Sequence, residues 1–295
     1  MKQLLILSGK GGTGKTTVAS AFIKLSSARA YADCDVDAPN LHLVMNFKNE
    51  SETEDYFGMP KAQIDRVKCI DCGVCLENCR FGAISDEGGH HVELFSCEGC
   101  GVCEELCPVG AAVLMPDIAG ELTLFNEDGN VFSTAQLKMG RGTSGLLVTQ
   151  VKNRMKSAAD TYTGLAVIDG SPGIGCPVIA SLSGVDMVLI VAEPSLSGIS
   201  DMERIIKTAY NFGVPIAVCV NKHDTNPDNT GKIEEYCREN NLLFAGKIPF
   251  DPKAVEAINS GMTIADIDCP SGDAVREVYQ ITVEALLSEN KGSGI

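Results

Sequence analysis

The chain has 295 residues, 44% of them hydrophobic, enough to bury the core of one large or two ordinary domains without a partner. A formal net charge of −15 and a pI of about 4.7 give an average field that repels phosphate backbones and anionic lipid, which argues against nucleic acid as a partner and against stable membrane insertion. No apolar stretch approaches the roughly 20 residues that span a bilayer, and Gln3–Leu7 is too short for the core of an export signal, so a soluble, cytoplasmic protein is expected.

Lys2–Ser8 is a strand-length apolar run, and Thr16–Leu25 has helical spacing. Between them Gly9-Lys10-Gly11-Gly12-Thr13-Gly14-Lys15-Thr16 has P-loop spacing, two glycines framing four residues ahead of Lys-Thr, in the strand-loop-helix setting the motif needs. Glycines let the backbone curl until its N–H groups and the helix N-terminus face phosphate. Gly11, Gly12, Thr13, Gly14, Lys15, Thr16 and Thr17 are therefore the candidate phosphate contacts. Lys15 reaches the β- and γ-phosphates, and Thr16 ligates Mg²⁺. A glycine-rich turn with a surface lysine is the bland alternative, and this setting disfavours it. The run Ala32-Asp33-Cys34-Asp35-Val36-Asp37 ends a strand and puts carboxylates at the sheet edge where open α/β folds bind ligands. Three aspartates so close also fit a helix cap or a solvated loop.

From about Pro60 to Met115 the pattern is interrupted by a segment rich in cysteine and glycine with no long periodic helix. Cys69, Cys72, Cys75 and Cys79 recur at the same spacing as Cys97, Cys100, Cys103 and Cys107, an internal duplication. Thirteen cysteines, eight of them in these two runs, point to metal ligation in a reducing compartment rather than to disulfides. The Cys-x₂-Cys-x₂-Cys-x₃-Cys spacing is that of bacterial two-cluster ferredoxins, in which the fourth cysteine of each run serves the other cluster. One [4Fe–4S] cluster is thus expected on Cys69, Cys72, Cys75 and Cys107, and a second on Cys97, Cys100, Cys103 and Cys79. Structural zinc fits paired Cys-x₂-Cys knuckles but leaves the extra three-residue step unexplained. Arg80 stands where such a run usually continues with proline, a charge beside one cluster that removes no ligand. His90 and His91 are expected in a strand between the runs rather than as ligands.

Asn126–Asn130 reads as the turn of a hairpin, and Leu165–Ile168, Met187–Ala192 and Ile216–Val220 are buried-strand runs separated by helix-length segments. That alternation predicts a mostly parallel sheet covered on both faces. Ala166-Val-Ile-Asp169-Gly-Ser-Pro-Gly173 closes an apolar strand in an aspartate, so Asp169 is expected to hold Mg²⁺. Val218-Cys219-Val220-Asn221-Lys222 and Gly246-Lys-Ile-Pro249-Phe-Asp251 are, taken alone, strands followed by turns. Asp201 and Arg204 have the i,i+3 spacing of a helix-surface ion pair. Cys34, Cys219, Cys237 and Cys269 read as small apolar residues, and Cys176 follows the Asp169 turn. Ala274–Glu289 carries mixed, mainly acidic charge rather than a basic membrane-binding face, and Lys291–Ile295 is a low-complexity tail.

The second P-loop lysine, Lys10, marks the deviant form of the motif, and with it the chain resembles the MinD, Mrp, ParA and nitrogenase-iron-protein group of ATPases over essentially its whole length. On the residues alone, Lys10 faces its own phosphates or solvent; the resemblance implies that it crosses a homodimer interface to the partner's nucleotide. It also implies that Asp33 and Asp35 lie in the first switch near the attacking water, and that Asn221, Pro249 and Asp251 meet the adenine. By the same likeness Cys176 comes near a dimer interface, although two subunits then share only two thiolates. The implied fold is an α/β P-loop NTPase with a mostly parallel sheet flanked by helices (1–60 and 115–295), carrying an inserted α+β bacterial-ferredoxin-like domain (61–114). The implied function is a slow, partner-stimulated ATPase with ATP, Mg²⁺ and two [4Fe–4S] clusters, working as an ATP-dependent homodimer or paralogous heterodimer. It would couple that switch to electron transfer toward a redox protein or to iron–sulfur and metallocofactor assembly. The competing reading is a MinD-like spatial or cell-division regulator with a redox-sensing ferredoxin module.

Overall fold

A computed structural model describes residues 1–45, 47 and 51–288. Glu289 and the tail Lys291–Ile295 lie outside the described residues. In chain order the elements are β1 (Lys2–Leu7), α1 (Lys15–Ser26), β2 (Ala30–Asp33), β3 (Glu52–Phe57), β4 (Lys61–Ile64), α2 (Val74–Glu77), β5 (Ile84–Ser85), β6 (His91–Val92) and α3 (Val102–Leu106). There follow β7 (Ala112–Met115), β8 (Ile118–Glu127), β9 (Asn130–Leu137), α4 (Ser144–Ala158), β10 (Leu165–Asp169), α5 (Cys176–Leu182), β11 (Met187–Ala192) and α6 (Leu196–Asn211). The chain ends with β12 (Ile216–Asn221), α7 (Pro227–Glu239), β13 (Leu243–Ile248), α8 (Pro252–Asn259) and α9 (Pro270–Ser288).

The chain divides into two compact units, the first comprising 1–53, 123–135 and 144–295. Its sheet runs β13-β12-β11-β1-β10-β2-β9 with every neighbouring pair parallel. β11 and β12 are buried at every position, as strands covered on both faces must be, which is why they read as unbroken apolar runs. The core is built on Leu4, Ile6, Val18, Phe22, Val167, Leu189 and Val278. Asp128 (φ 50) and Gly129 (φ 79) make the β8–β9 turn, both in the left-handed region that a two-residue hairpin needs. α6 is capped by Ser195, whose hydroxyl accepts the Gly198 N–H at 3.0 Å, and buries Met202, Ile205, Ile206 and Ala209.

The second unit comprises 54–122 and 136–143, and so includes the whole of 61–114. It holds two small antiparallel pairs, β4 with β7 and β5 with β6. α2 and α3 each start just after a left-handed glycine, Gly73 (φ 75) and Gly101 (φ 81), that follows the second cysteine of its run. The repeat in sequence is thus also a repeat in backbone conformation. Small residues, Ala62, Ala83 and Ala112, pack with Ile84, Cys97 and Cys103 into a separate core.

Candidate functional site

The loop after β1 and the start of α1 border a cavity of about 870 Å³, within the size range of small-molecule sites. Gly11, Gly12, Thr13, Gly14, Lys15, Thr16 and Thr17 all line it. Gly14 is the N-cap of α1 at φ 93, and a β-carbon there would meet the Asn221 Nδ2 at 2.2 Å, so only glycine fits.

Beneath the loop, the Lys15 Nζ lies 2.6 Å from the Asp169 Oδ1, the side chains being 6% and 0% exposed. Thr16 donates its hydroxyl to the Asp169 Oδ2 at 2.6 Å. Burial opposes the Lys15 charge, but Asp169, Asp33 and Asp35 outweigh it and push its pKa up, so the ammonium stays protonated. Parallel pairing of β10 with both β1 and β2 brings Asp169, the P-loop and Asp33 together.

The three aspartates at the end of β2 and just beyond it have different fates. Asp33 is fully buried; its Oδ1 accepts the Asp35 N–H at 3.0 Å, and its Oδ2 accepts those of Asn40 and Leu41 at 2.9 and 3.0 Å. It shapes the loop from below, and burial together with the Asp169 charge raises its pKa to about 7. Asp35 and Asp37 line the cavity itself. Burial also pushes the Asp35 carboxyl up from its ordinary range.

Lys10 is held within its own chain, 2.6 Å from the Glu193 Oε2 and 3.4 Å from the hydroxyls of Ser195 and Ser197. Asn221, at the end of β12, donates Nδ2 to the Thr13 carbonyl at 2.7 Å. Pro249 and Asp251 also line the cavity. Asp251 caps α8 by accepting the Lys253 N–H at 3.0 Å, and its other oxygen accepts from the Ser271 hydroxyl at 3.2 Å. Asp201 and Arg204 form the surface pair at 3.8 Å, while the Asp201 Cβ presses on Gly9, where a β-carbon would stand 2.2 Å away.

The eight clustered cysteines fall into two cavities. Cys69, Cys72, Cys75 and Cys107 line one, and Cys79, Cys97, Cys100 and Cys103 line the other. Each run therefore sends its last cysteine to the other's cavity. Backbone N–H groups point at three of the sulfurs, Ala111 at Cys107 (3.1 Å), Ala83 at Cys79 (3.3 Å) and Ala62 at Cys97 (3.4 Å). Backbone N–H groups around Cys107 hold its thiol below the ordinary thiol value. Four thiols per cavity with N–H···S support suit an iron–sulfur cluster, so the residues present fit two such groups. His90, expected only in a strand, is buried at the first cavity and bonded through Nδ1 to the Asp71 Oδ1 at 3.0 Å. Arg80 is exposed.

Three contributors had no sequence signal. Glu193 becomes the partner of Lys10 only because β11 lies beside β1. Lys152 on α4 is buried and donates Nζ to the carbonyls of Ser181 and Ser183, both at 2.6 Å, capping α5; burial lowers its pKa to about 8. Ser171 donates its hydroxyl to the Cys34 carbonyl and ties the loop after β10 to the loop after β2. Cys34, Cys219, Cys237 and Cys269 are buried, and Cys176 is exposed at the start of α5. No helix among the described residues is long and apolar enough to cross a membrane.

A family model described as the CobQ/CobB/MinD/ParA nucleotide binding domain matches residues 4–264. An uncharacterized protein of Methanocaldococcus jannaschii is 31% identical over 285 residues, 94% of this chain and 95% of that protein. An iron-sulfur cluster carrier protein of Pyrococcus abyssi is 24% identical over 311 residues, 98% of this chain and 88% of that one. The septum site-determining protein MinD complexed with Mg-ADP from Pyrococcus horikoshii matches with a TM-score of 0.57 at 16% identity over 99% of both chains, a likeness of fold.

Proposed function

The chain belongs to the CobQ/CobB/MinD/ParA nucleotide-binding family, and from that premise we propose that it hydrolyses ATP to drive an iron–sulfur redox module. The observation that carries this reading is the sorting of eight cysteines into two four-thiol cavities on the chain that also bears the P-loop cavity. Cys69, Cys72, Cys75 and Cys107 would hold one [4Fe–4S] cluster, and Cys97, Cys100, Cys103 and Cys79 the other. When bound, such clusters supply one-electron transfer.

In the nucleotide unit, the loop amides and Lys15 would bind the phosphates, Thr16 and Asp169 would hold Mg²⁺, and Asp35, which lines the cavity, would orient water. Lys10 is the residue for a partner subunit's phosphates, and leaving Glu193 is the step that would free it. Homologues named iron-sulfur cluster carriers favour cluster delivery as a second reading. A carrier needs labile ligands, whereas thiols caged four to a cavity and supported by backbone N–H groups favour resident clusters and electron transfer.

The test is anaerobic iron counting with EPR of the dithionite-reduced protein, with and without Mg-ATP, alongside ATPase assays of wild type and Lys15→Ala. About eight iron atoms per chain, paired [4Fe–4S] signals that respond to nucleotide and an ATPase lost in the variant are expected. Clusters indifferent to nucleotide, or equal ATPase rates in the two proteins, would overturn it.

A further inference from the structure

The two cysteine runs match in spacing and in backbone, yet their cavities differ at one point. Asp71, between the first two cysteines of its run, takes the place that Gly99 has in the other run, and both are left-handed, at φ 51 and φ 65. At Gly99 a β-carbon would meet the Pro60 carbonyl oxygen at 2.1 Å, so no side chain fits there. At Asp71 one does, and its Oδ1 lies 3.0 Å from the His90 Nδ1. His90 lines the first cavity with its side chain 8% exposed, and its carbonyl accepts from the Arg66 Nη1 at 2.9 Å, which holds the backbone. An ionised carboxylate only accepts, so Nδ1 carries the proton and in the neutral ring Nε2 keeps its lone pair. That Nε2 lies 4.0 Å from the β-position of Gly73, the residue after Cys72. Histidines that ligate metals are oriented in this way, by a carboxylate on the other ring nitrogen. Among the described residues no histidine lines the second cavity, and Glu98, which does, is exposed.

We propose that His90 is a reserve ligand of the first cluster: its Nε2 takes the iron of Cys72 when that thiolate is removed, with Asp71 as the positioning residue. The inference rests on the two-cluster reading above and adds a fifth donor to one cavity. Cys72 is the ligand it replaces for two reasons. Of the four cysteines in the first cavity Cys72 is the exposed one, Cys69, Cys75 and Cys107 being partly covered, and it adjoins the glycine that Nε2 approaches. In the exchange an Fe–Sγ bond breaks and an Fe–Nε2 bond forms. The sulfur leaves with its electron pair and the imidazole supplies its own, so the iron is neither oxidised nor reduced. A neutral donor in place of a thiolate removes one negative charge, and imidazole for thiolate raises the potential of a cluster. The first cavity therefore tolerates the loss of a cysteine whose counterpart in the second, Cys100, has no substitute.

The test uses the full-length, anaerobically purified protein as wild type, Cys72→Ala, Cys100→Ala and Cys72→Ala with His90→Ala. Iron is counted, and dithionite-reduced samples carrying isotopically labelled histidine are read by EPR and electron–nuclear double resonance. Expected are about eight iron atoms per chain in wild type and Cys72→Ala, and about four in Cys100→Ala and in the double variant. Cys72→Ala should show a histidine nitrogen coupled to the reduced cluster, which wild type lacks. Potentiometric titration should find reduction of the first cluster favoured about tenfold or more in Cys72→Ala relative to wild type, a rise of about 59 mV or more. A Cys72→Ala protein that loses as much iron as Cys100→Ala overturns the inference, and so does one that shows the signal of a three-iron cluster. Iron retained without coupling to labelled histidine overturns it as well, and that reading needs no His90 variant to fold. Wild type without iron removes the redox reading and the inference together, whereas any of the other adverse results leaves the two-cluster reading standing.

Discussion

The Lys15–Asp169 pair is buried at both ends, and that makes its energetics testable without nucleotide. The Nζ–Oδ1 distance is 2.6 Å, and Thr16 adds a 2.6 Å bond to the other carboxylate oxygen. Removing one partner of such a pair strands the other charge away from water, at a cost of about 3–5 kcal/mol. Removing both charges exchanges the pair for neutral groups of similar size, which is often close to neutral. We therefore expect Lys15→Met and Asp169→Asn each to lose about 3–5 kcal/mol, and the double variant to lose far less than their sum. Urea unfolding of the nucleotide-free protein by far-UV circular dichroism reads this directly. With a slope of about 3 kcal/mol/M, each single change should lower the midpoint by roughly 1–1.7 M. The Lys15 pKa is raised, so its share of the stability is complete at neutral pH and fades only as the pH climbs above the ordinary lysine value of 10.5 toward the folded one. Additive losses in the double variant would refute the pairing argument, because a shared interaction must appear as coupling.

Exchange of the fourth cysteines predicts that Cys69→Ser with Cys107→Ser lowers iron content by one cluster, whereas Cys69→Ser with Cys79→Ser lowers it by two; the reverse pattern would assign each run to its own cluster. Asp33 has a carboxyl raised from 3.8 to about 7, so the unfolded chain ionises first and nucleotide-free stability should fall by a few kcal/mol as pH rises from about 4 to about 7. Asp33→Asn should remove that slope, read as the wild-type-minus-variant difference in urea unfolding across that pH range. Gly14→Ala forces a left-handed alanine, costing about 1–2 kcal/mol before the collision with Asn221, and should lower the thermal midpoint and abolish calorimetric nucleotide binding.

The chain order of chemistry was legible from residues alone. Glycines at the P-loop, apolar runs ending in Asp33 and Asp169, and two cysteine runs at one spacing each carry a local requirement, whether a left-handed φ, a doubly covered strand or a ligand step, that few other residue types meet. The hairpin turn at Asp128-Gly129 was legible for the same reason. Partnerships across the fold were not. Aspartates spaced alternately from the end of β2 look equivalent in sequence, yet the loop folds back over Asp33 and takes its oxygens with backbone N–H groups, while Asp35 and Asp37 reach the cavity. Lys10 finds Glu193 because parallel strands far apart in sequence lie side by side, and Asp224 meets the loop after β13 because β12 and β13 pair. His90 and Lys152 look like surface residues until packing buries one against the first cysteine cavity and the other beneath the carbonyls of α5. Sequence determined which groups are present and what backbone each demands, since those are local properties. Tertiary structure decided which groups meet and which are spent on the protein's own backbone, since buried polar atoms take whatever partners the strand order brings within reach.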